Sequence, residues 1–257
     1  MVSPNALSAA MLDEAIEQSV RTSLGPCLLK TDYVDWLTRA LAPHGFNAEN
    51  TIACVAACRD ELCSPFIDAV ADAWGEAFNL SSLAGVPLLG VTGFEAALSH
   101  APRFGGRERF LLMGMTHVGT DGGDLGMVTR PGQPKATPAC GALAKLRSEL
   151  VAGAESNPEF DEIDPHDVEM SLLRRRFGHL GDREHVPTLA ELTQAAARAI
   201  TEELEYLVER CVRQRPADFC IATGILVHTP QGPSRVVPDK TYVVVLGGRT
   251  ELKPPAR

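Results

Sequence analysis

Thr51-Ile-Ala-Cys54-Val-Ala-Ala-Cys58-Arg59-Asp60-Glu61-Leu62-Cys63 is an apolar run that stops at a cysteine, turns charged, and gives way to a helical pattern. A buried parallel strand reads this way, and its carboxyl end is where open α/β sheets present reactive side chains. In extended backbone, residues two apart share a face, so Cys58 and Asp60 can address one cavity. A thiolate there can bind zinc, and a carboxylate beside it can handle the proton of a zinc-bound water. The other reading of the same residues is a small buried cysteine closing a strand, with Asp60 capping the helix that follows.

Outward from this stretch the chain has ordinary globular composition. Its 257 residues are 45% hydrophobic and 22% charged, enough for one large α/β domain without disulfide staples. Acidic residues outnumber basic ones, 33 to 24, for a net charge of −9, which argues against nucleic acid or an anionic membrane as main partner. Aromatic content of 5% leaves little for stacking on single strands. No apolar run reaches the ~18 residues of a membrane span. Asp13, Glu14 and Glu17 are wrong for a basic leader, so the expectation is a soluble cytoplasmic protein. The seven cysteines are odd in number and form no CxxC pair; in a reducing compartment, metal binding or catalysis is their expected special use.

Before the opening stretch, helices are expected over 5–23, stopped by Gly25-Pro26, and from Thr31-Asp32 to about Leu41; they cover the sheet or a partner surface. After it, a helix is expected over 64–78, then an apolar segment, 79–95, packed beside the site. Thr92 and Glu95 fit a capping box that opens a short helix to His100. Residues 109–116 form a second buried strand with His117 at its end. Asp121-Gly-Gly-Asp124 turns the chain into a strand over 125–129. A Pro/Gly-rich loop over 131–138 leads to a helix with Cys140 in its first turn, where free amides and the dipole favour a thiolate. An acidic loop, 153–165, precedes a helix over 166–178 capped at Asp164-Pro165, whose Arg174–Arg176 run reads as a solvated face pairing with local acids. Thr188 and Glu191 repeat the capping box and open a helix to about Arg213. Strands over 218–228, ending at His228, and about 235–247 close the chain around a turn at Thr229-Pro-Gln-Gly-Pro.

Cys58 and His117 each end a buried strand, and Cys140 opens a helix. In a parallel sheet such positions converge on one edge. Two thiolates and one imidazole leave the fourth tetrahedral position of zinc open, the arrangement of a catalytic site. A redox pair is the competing use. Cys54 and Cys58 lie roughly 13 Å apart on a strand, too far to bridge; Cys58–Cys63 stays open.

The chain resembles the limiting-CO2-inducible protein B family, the theta-class carbonic anhydrases, whose fold and zinc site are like those of the beta class. The matching stretches are Cys58-Arg-Asp60-Glu61, Phe78-Asn-Leu-Ser-Ser-Leu-Ala-Gly85, Gly90-Val-Thr-Gly-Phe-Glu-Ala-Ala97, His117-Val-Gly119, Cys140-Gly-Ala and the strand from Gly224. The resemblance implies a mostly parallel central sheet flanked by helices: an N-terminal helical extension over 1–48 and a zinc domain over 49–257. It implies a homodimer, Zn2+ held by Cys58, His117 and Cys140, and catalysis by Asp60 of the reversible hydration of CO2 to bicarbonate. One place departs from the pattern. The beta class pairs its aspartate with an arginine two residues on, where this chain has Leu62, and Ser64 stands where relatives carry an arginine. The partner is then sought in Arg59, or in Arg103 or Arg107. The alternatives are hydrolysis of a CO2-like molecule, carbonyl sulfide or carbon disulfide, and a catalytically weak bicarbonate-binding scaffold. The apolar residues Leu83, Val86, Leu88, Val91 and Phe94 fit either a wall for an uncharged substrate or plain core.

Overall fold

A computed structural model describes residues 14, 16–121, 124–153, 160, 162–181, 185–229 and 232–255. Helix α1 (16–23) is followed by strand β1 (Leu28–Leu29) and helix α2 (Lys30–Leu41). Tyr33, Val34, Leu37 and Leu41 recur at helical spacing and form the buried stripe of α2.

The opening stretch is strand β2 (Ile52–Ala57), followed by helix α3 (Ser64–Trp74) and strand β3 (Ala77–Asn79). The helix expected over 64–78 therefore stops early. Gly75 ends it with φ 85°, a conformation open to glycine, and Phe78 enters the sheet instead. In helix α4 (Gly90–Leu98), Thr92 and Glu95 lie inside the helix, so no capping box forms there.

Strand β4 (Arg103–Phe104) turns into strand β5 (Arg107–Asp121), which contains His117 rather than ending at it. The expected strand over 125–129 is two short pieces, β6 (Asp124–Leu125) and β7 (Met127–Val128), broken at Gly126. Strand β8 (Thr137–Pro138) leads to helix α5 (Gly141–Val151). Helix α6 (Val168–Phe177) begins after Asp167; Asp164 instead accepts a bond from the His166 amide at 2.8 Å, closing a turn before the helix. Helix α7 (Leu189–Cys211) has the expected box: Thr188 Oγ1 accepts from the Glu191 amide at 3.2 Å, and the Glu191 carboxylate accepts from the Thr188 amide at 2.7 Å. Strands β9 (Ala217–His228), β10 (Arg235–Val245) and β11 (Gly248–Glu251) complete the chain. The expected helix start at 5–13, the Gly122-Gly123 tip, the heart of the acidic loop at 154–159 and the Pro230-Gln231 turn lie outside the described residues.

The sheet order is β1-β10-β9-β5-β2-β3. β3, β2, β5 and β9 run parallel, while β10, β1 and β11 add an antiparallel flank. β5 is the spine, paired with β2 from Ile52↔Phe110 to Ala57↔Met115 and with β9 from Glu108↔Ala217 to Gly119↔His228. Its run from Phe110 to Met113 is buried, as an unbroken apolar run sandwiched between layers of helices must be. The Arg174–Arg176 run pairs with nearby acids as expected: Arg174 with Glu149 of α5 and Arg176 with Glu202 and Glu203 of α7. No helix among the described residues is long and apolar enough to cross a membrane.

Candidate metal centre

The apolar run of β2 ends at Cys58, whose backbone makes a parallel bridge to Ser82. Gly85, just beyond Ser82, has φ 79°, and a Cβ there would lie 2.2 Å from the Met115 carbonyl oxygen and 3.3 Å from the Cys58 nitrogen. The segment after β3 is thus seated directly on β5 and on the end of β2. His117 lies two residues beyond Met115, the last residue of β5 registered with β2. Cys140 precedes α5 in extended backbone, as its N-cap. Cys58, His117 and Cys140 are buried, and their donor atoms lie within 4.8 Å of one another.

Among the three, a proton is shared unequally. The hydrogen bond from the Cys140 thiol holds Cys58 far below the ordinary thiol range against the opposing effect of burial, and His117 and the Asp60 amide add to it. The same bond, with burial and the Cys58 charge, pushes Cys140 well up. His117 is fully buried, and neither ring nitrogen has a well-formed hydrogen bond. An imidazole so placed bears an uncompensated desolvation cost, and a cation among the three donors removes it. Two sulfurs and one imidazole nitrogen are donors that suit zinc, and three of them leave a fourth position open.

Asp60 stands beside this group with backbone φ −61°, ψ 138°, extended as expected. Both readings of it hold at once. Oδ1 accepts from the Leu62 amide at 3.1 Å and caps a short 3-10 turn, Glu61–Cys63, while Oδ2 is held by Arg130 Nη2 at 2.9 Å. Burial pushes the Asp60 carboxyl up; the Leu62 amide and the charge of Arg130 act against it.

The partner of Asp60 is therefore Arg130, not Arg59, Arg103 or Arg107. Arg59 reaches outward to Glu169 at 2.6 Å and the Ser81 carbonyl at 3.2 Å, with 62% of its side chain exposed. Arg103 and Arg107 sit at the far end of β5 on Glu108 and Asp218. Arg130 lies between β7 and β8. Besides Asp60 it binds Glu61 at 2.6 Å, Thr137 Oγ1 at 2.7 Å, and the Pro138 and Ala139 carbonyls, each at 3.1 Å. It clamps the segment leading to Cys140 onto the segment leaving Cys58. The available signal was isolation: Arg130 is the only charge between Asp124 and Lys135.

All seven cysteines are free thiols, and Cys63 turns to His228, its Sγ 3.9 Å from Nε2. His228, read from the sequence only as a strand end, packs its ring edge-on against His117 with centroids 5.3 Å apart. Val86 and Phe94 are fully buried in the main core, with Leu83, Leu88 and Val91 packed against it.

Comparison with known proteins places residues 27–245 in the match to a family described as limiting CO2-inducible proteins B/C beta carbonic anhydrases. The crystal structure of limiting CO2-inducible protein LCIB is similar over 91% of this chain and 97% of that one, with 29% identity and a TM-score of 0.75. PtLCIB4, a homolog of LCIB, is similar over 91% of this chain and 98% of its own, with 21% identity and a TM-score of 0.79. No curated protein sequence matches the chain.

Proposed function

The chain belongs to the limiting CO2-inducible protein B/C family of beta carbonic anhydrases, and from that premise we propose that it is a zinc-dependent carbonic anhydrase, hydrating CO2 reversibly to bicarbonate. The observation that carries the proposal is the meeting of Cys58, His117 and Cys140, buried with donor atoms within 4.8 Å of one another, beside a carboxylate fixed on both oxygens. Those three residues would hold the zinc. Zinc, when bound, supplies the Lewis acidity that makes water a nucleophile near neutral pH.

The chain's own residues supply aim and proton handling. The Leu62 amide and Arg130 fix the plane of the Asp60 carboxylate. Each carboxylate oxygen has a second acceptor site, so one remains free to take a hydrogen bond from the attacking water and set the direction of its lone pair. Addition of that water to the carbon of CO2 yields bicarbonate and one proton, which leaves to solvent. The orienting role sought for Arg59 passes to Arg130. Both sulfurs serve as ligands in their thiolate form, so metal uptake releases protons. The same premise motivates a homodimer, which light scattering on the purified protein tests.

The deciding experiment is stopped-flow CO2 hydration with a pH indicator, on zinc-loaded and metal-stripped protein side by side. The expected result is a rate that follows zinc content up to one ion per chain. Rates no faster than the uncatalysed reaction in both preparations would reject CO2 hydration and leave hydrolysis of a CO2-like molecule or a bicarbonate-binding scaffold.

A further inference from the structure

Among the described residues, one buried constellation of metal-ligating side chains remains once Cys58, Asp60, His117, Cys140 and Arg130 have roles. The donor atoms of Cys63, His117 and His228 lie within 4.8 Å of one another, and all three side chains are buried. Register brings them together. Gly119 of β5 pairs with His228, the last residue of β9, so His228 stands one strand across and two residues beyond His117. The rings meet at an interplanar angle of 71°. Cys63 ends the short turn capped by Asp60 and points its sulfur at His228 Nε2.

The supporting bonds suit a ligand set. Metal-bound histidines are held by a hydrogen bond at the second ring nitrogen. For His228 that place is filled: Nδ1 meets Ser234 Oγ at 3.1 Å, leaving Nε2 toward Cys63. His117 brings a ring on which neither nitrogen is engaged in a well-formed hydrogen bond. One sulfur and two imidazoles, with no oxygen ligand among them, select a borderline-soft divalent ion such as zinc or cobalt over magnesium or calcium.

We propose that Cys63, His117 and His228 form a second metal-binding set, alternative to Cys58–His117–Cys140. A neutral imidazole has one lone pair, so His117 serves one ion at a time and the two sets exclude each other. An ion on the second set has exchanged the sulfurs of Cys58 and Cys140 for Cys63 and His228. The proposal rests on the zinc reading of the neighbouring site only through the shared His117.

Cobalt(II) is the probe, because sulfur ligation gives it a charge-transfer band. Cys58→Ser/Cys140→Ser removes both sulfurs of the first set and leaves the second whole. This double variant is expected to bind one cobalt per chain with a charge-transfer band, and to lose the band when Cys63→Ser is added and the metal when His228→Ala is added. Absence of cobalt binding, or a band that survives Cys63→Ser, overturns the proposal. Two zinc ions per wild-type chain at excess metal overturn the exclusion. Should circular dichroism show the double variant unfolded, Cys140→Ser alone carries the test: its cobalt band weakens on adding Cys63→Ser, and an unchanged band overturns the proposal. Failure of CO2 hydration in zinc-loaded wild type bears on the neighbouring site alone and leaves these outcomes as they are.

Discussion

Replacing Arg130 with methionine keeps an unbranched apolar stem and removes the guanidinium, with its charge and its donors. The pair with Asp60 is largely shielded, each side chain 15% exposed, so its bond belongs with charge-assisted hydrogen bonds at ~1.5–3 kcal/mol. The bonds to the Pro138 and Ala139 carbonyls add ~0.5–1.5 kcal/mol each. Glu61 is 69% exposed and adds little, as surface pairs do. The expected loss is about 3–5 kcal/mol of unfolding free energy, or ~10 °C in Tm for a chain of this size. Activity should fall further than stability explains, by ~10²-fold, because a carboxylate released from its clamp by about an ångström no longer aims the nucleophile. Urea denaturation of metal-stripped protein reads the first effect, and stopped-flow hydration of folded, zinc-loaded protein reads the second. Arg130→Lys keeps the charge without the planar fork and should recover part of each. A methionine variant within ~0.5 kcal/mol of wild type, hydrating CO2 at the wild-type rate, would refute the clamp.

Asp60→Asn is expected to keep its zinc and its fold while hydration drops at least ~10²-fold; wild-type turnover would remove Asp60 from the mechanism, and loss of zinc would make it a ligand. Cys140→Ser should keep its circular dichroism spectrum but surrender zinc to a chelator that leaves the wild type loaded, and unchanged retention would reject Cys140 as a ligand. Asp218 is buried at the opposite end of the sheet; burial raises its carboxyl, but the Arg107 hydrogen bond, the Leu246 amide and the charges of Arg107 and Arg109 outweigh this and hold it below the ordinary value of 3.8. With its folded value depressed, its contribution is complete above 3.8 and is lost as pH falls through the folded value. Asp218→Asn should therefore cost ~3 kcal/mol at pH 7 and less at pH 3, as read by urea denaturation; an equal cost at both pH values would count against the ion pair.

The strand at 52–57 and the convergence of Cys58, His117 and Cys140 were legible because parallel topology sends strand ends and helix starts to one edge. Asp60 was legible from a spacing of two. Arg130 was not, since its meeting with Asp60 is set by the hairpin of β7 and β8, which folds a distant segment across the site and leaves no periodic mark. His228 was missed for a related reason: its neighbour is decided by the β5–β9 register, and register is a tertiary property. The helix at 64–78 failed where one glycine outweighed an apolar stripe that runs on through Phe78. The box at Thr92 failed because a helix already under way from Gly90 includes both of its residues.

β5 takes one neighbour from an earlier strand and the other from β9, which begins at Ala217. During synthesis, then, the strand carrying His117 waits with one bare edge while ~100 further residues are added, a delay of ~5–20 s at ordinary elongation rates. For that interval the nascent chain exposes an apolar edge able to pair with any strand that passes. The layout that gathers the site's residues at one edge of the sheet thus also leaves its central strand half-paired until the last third of the chain is made.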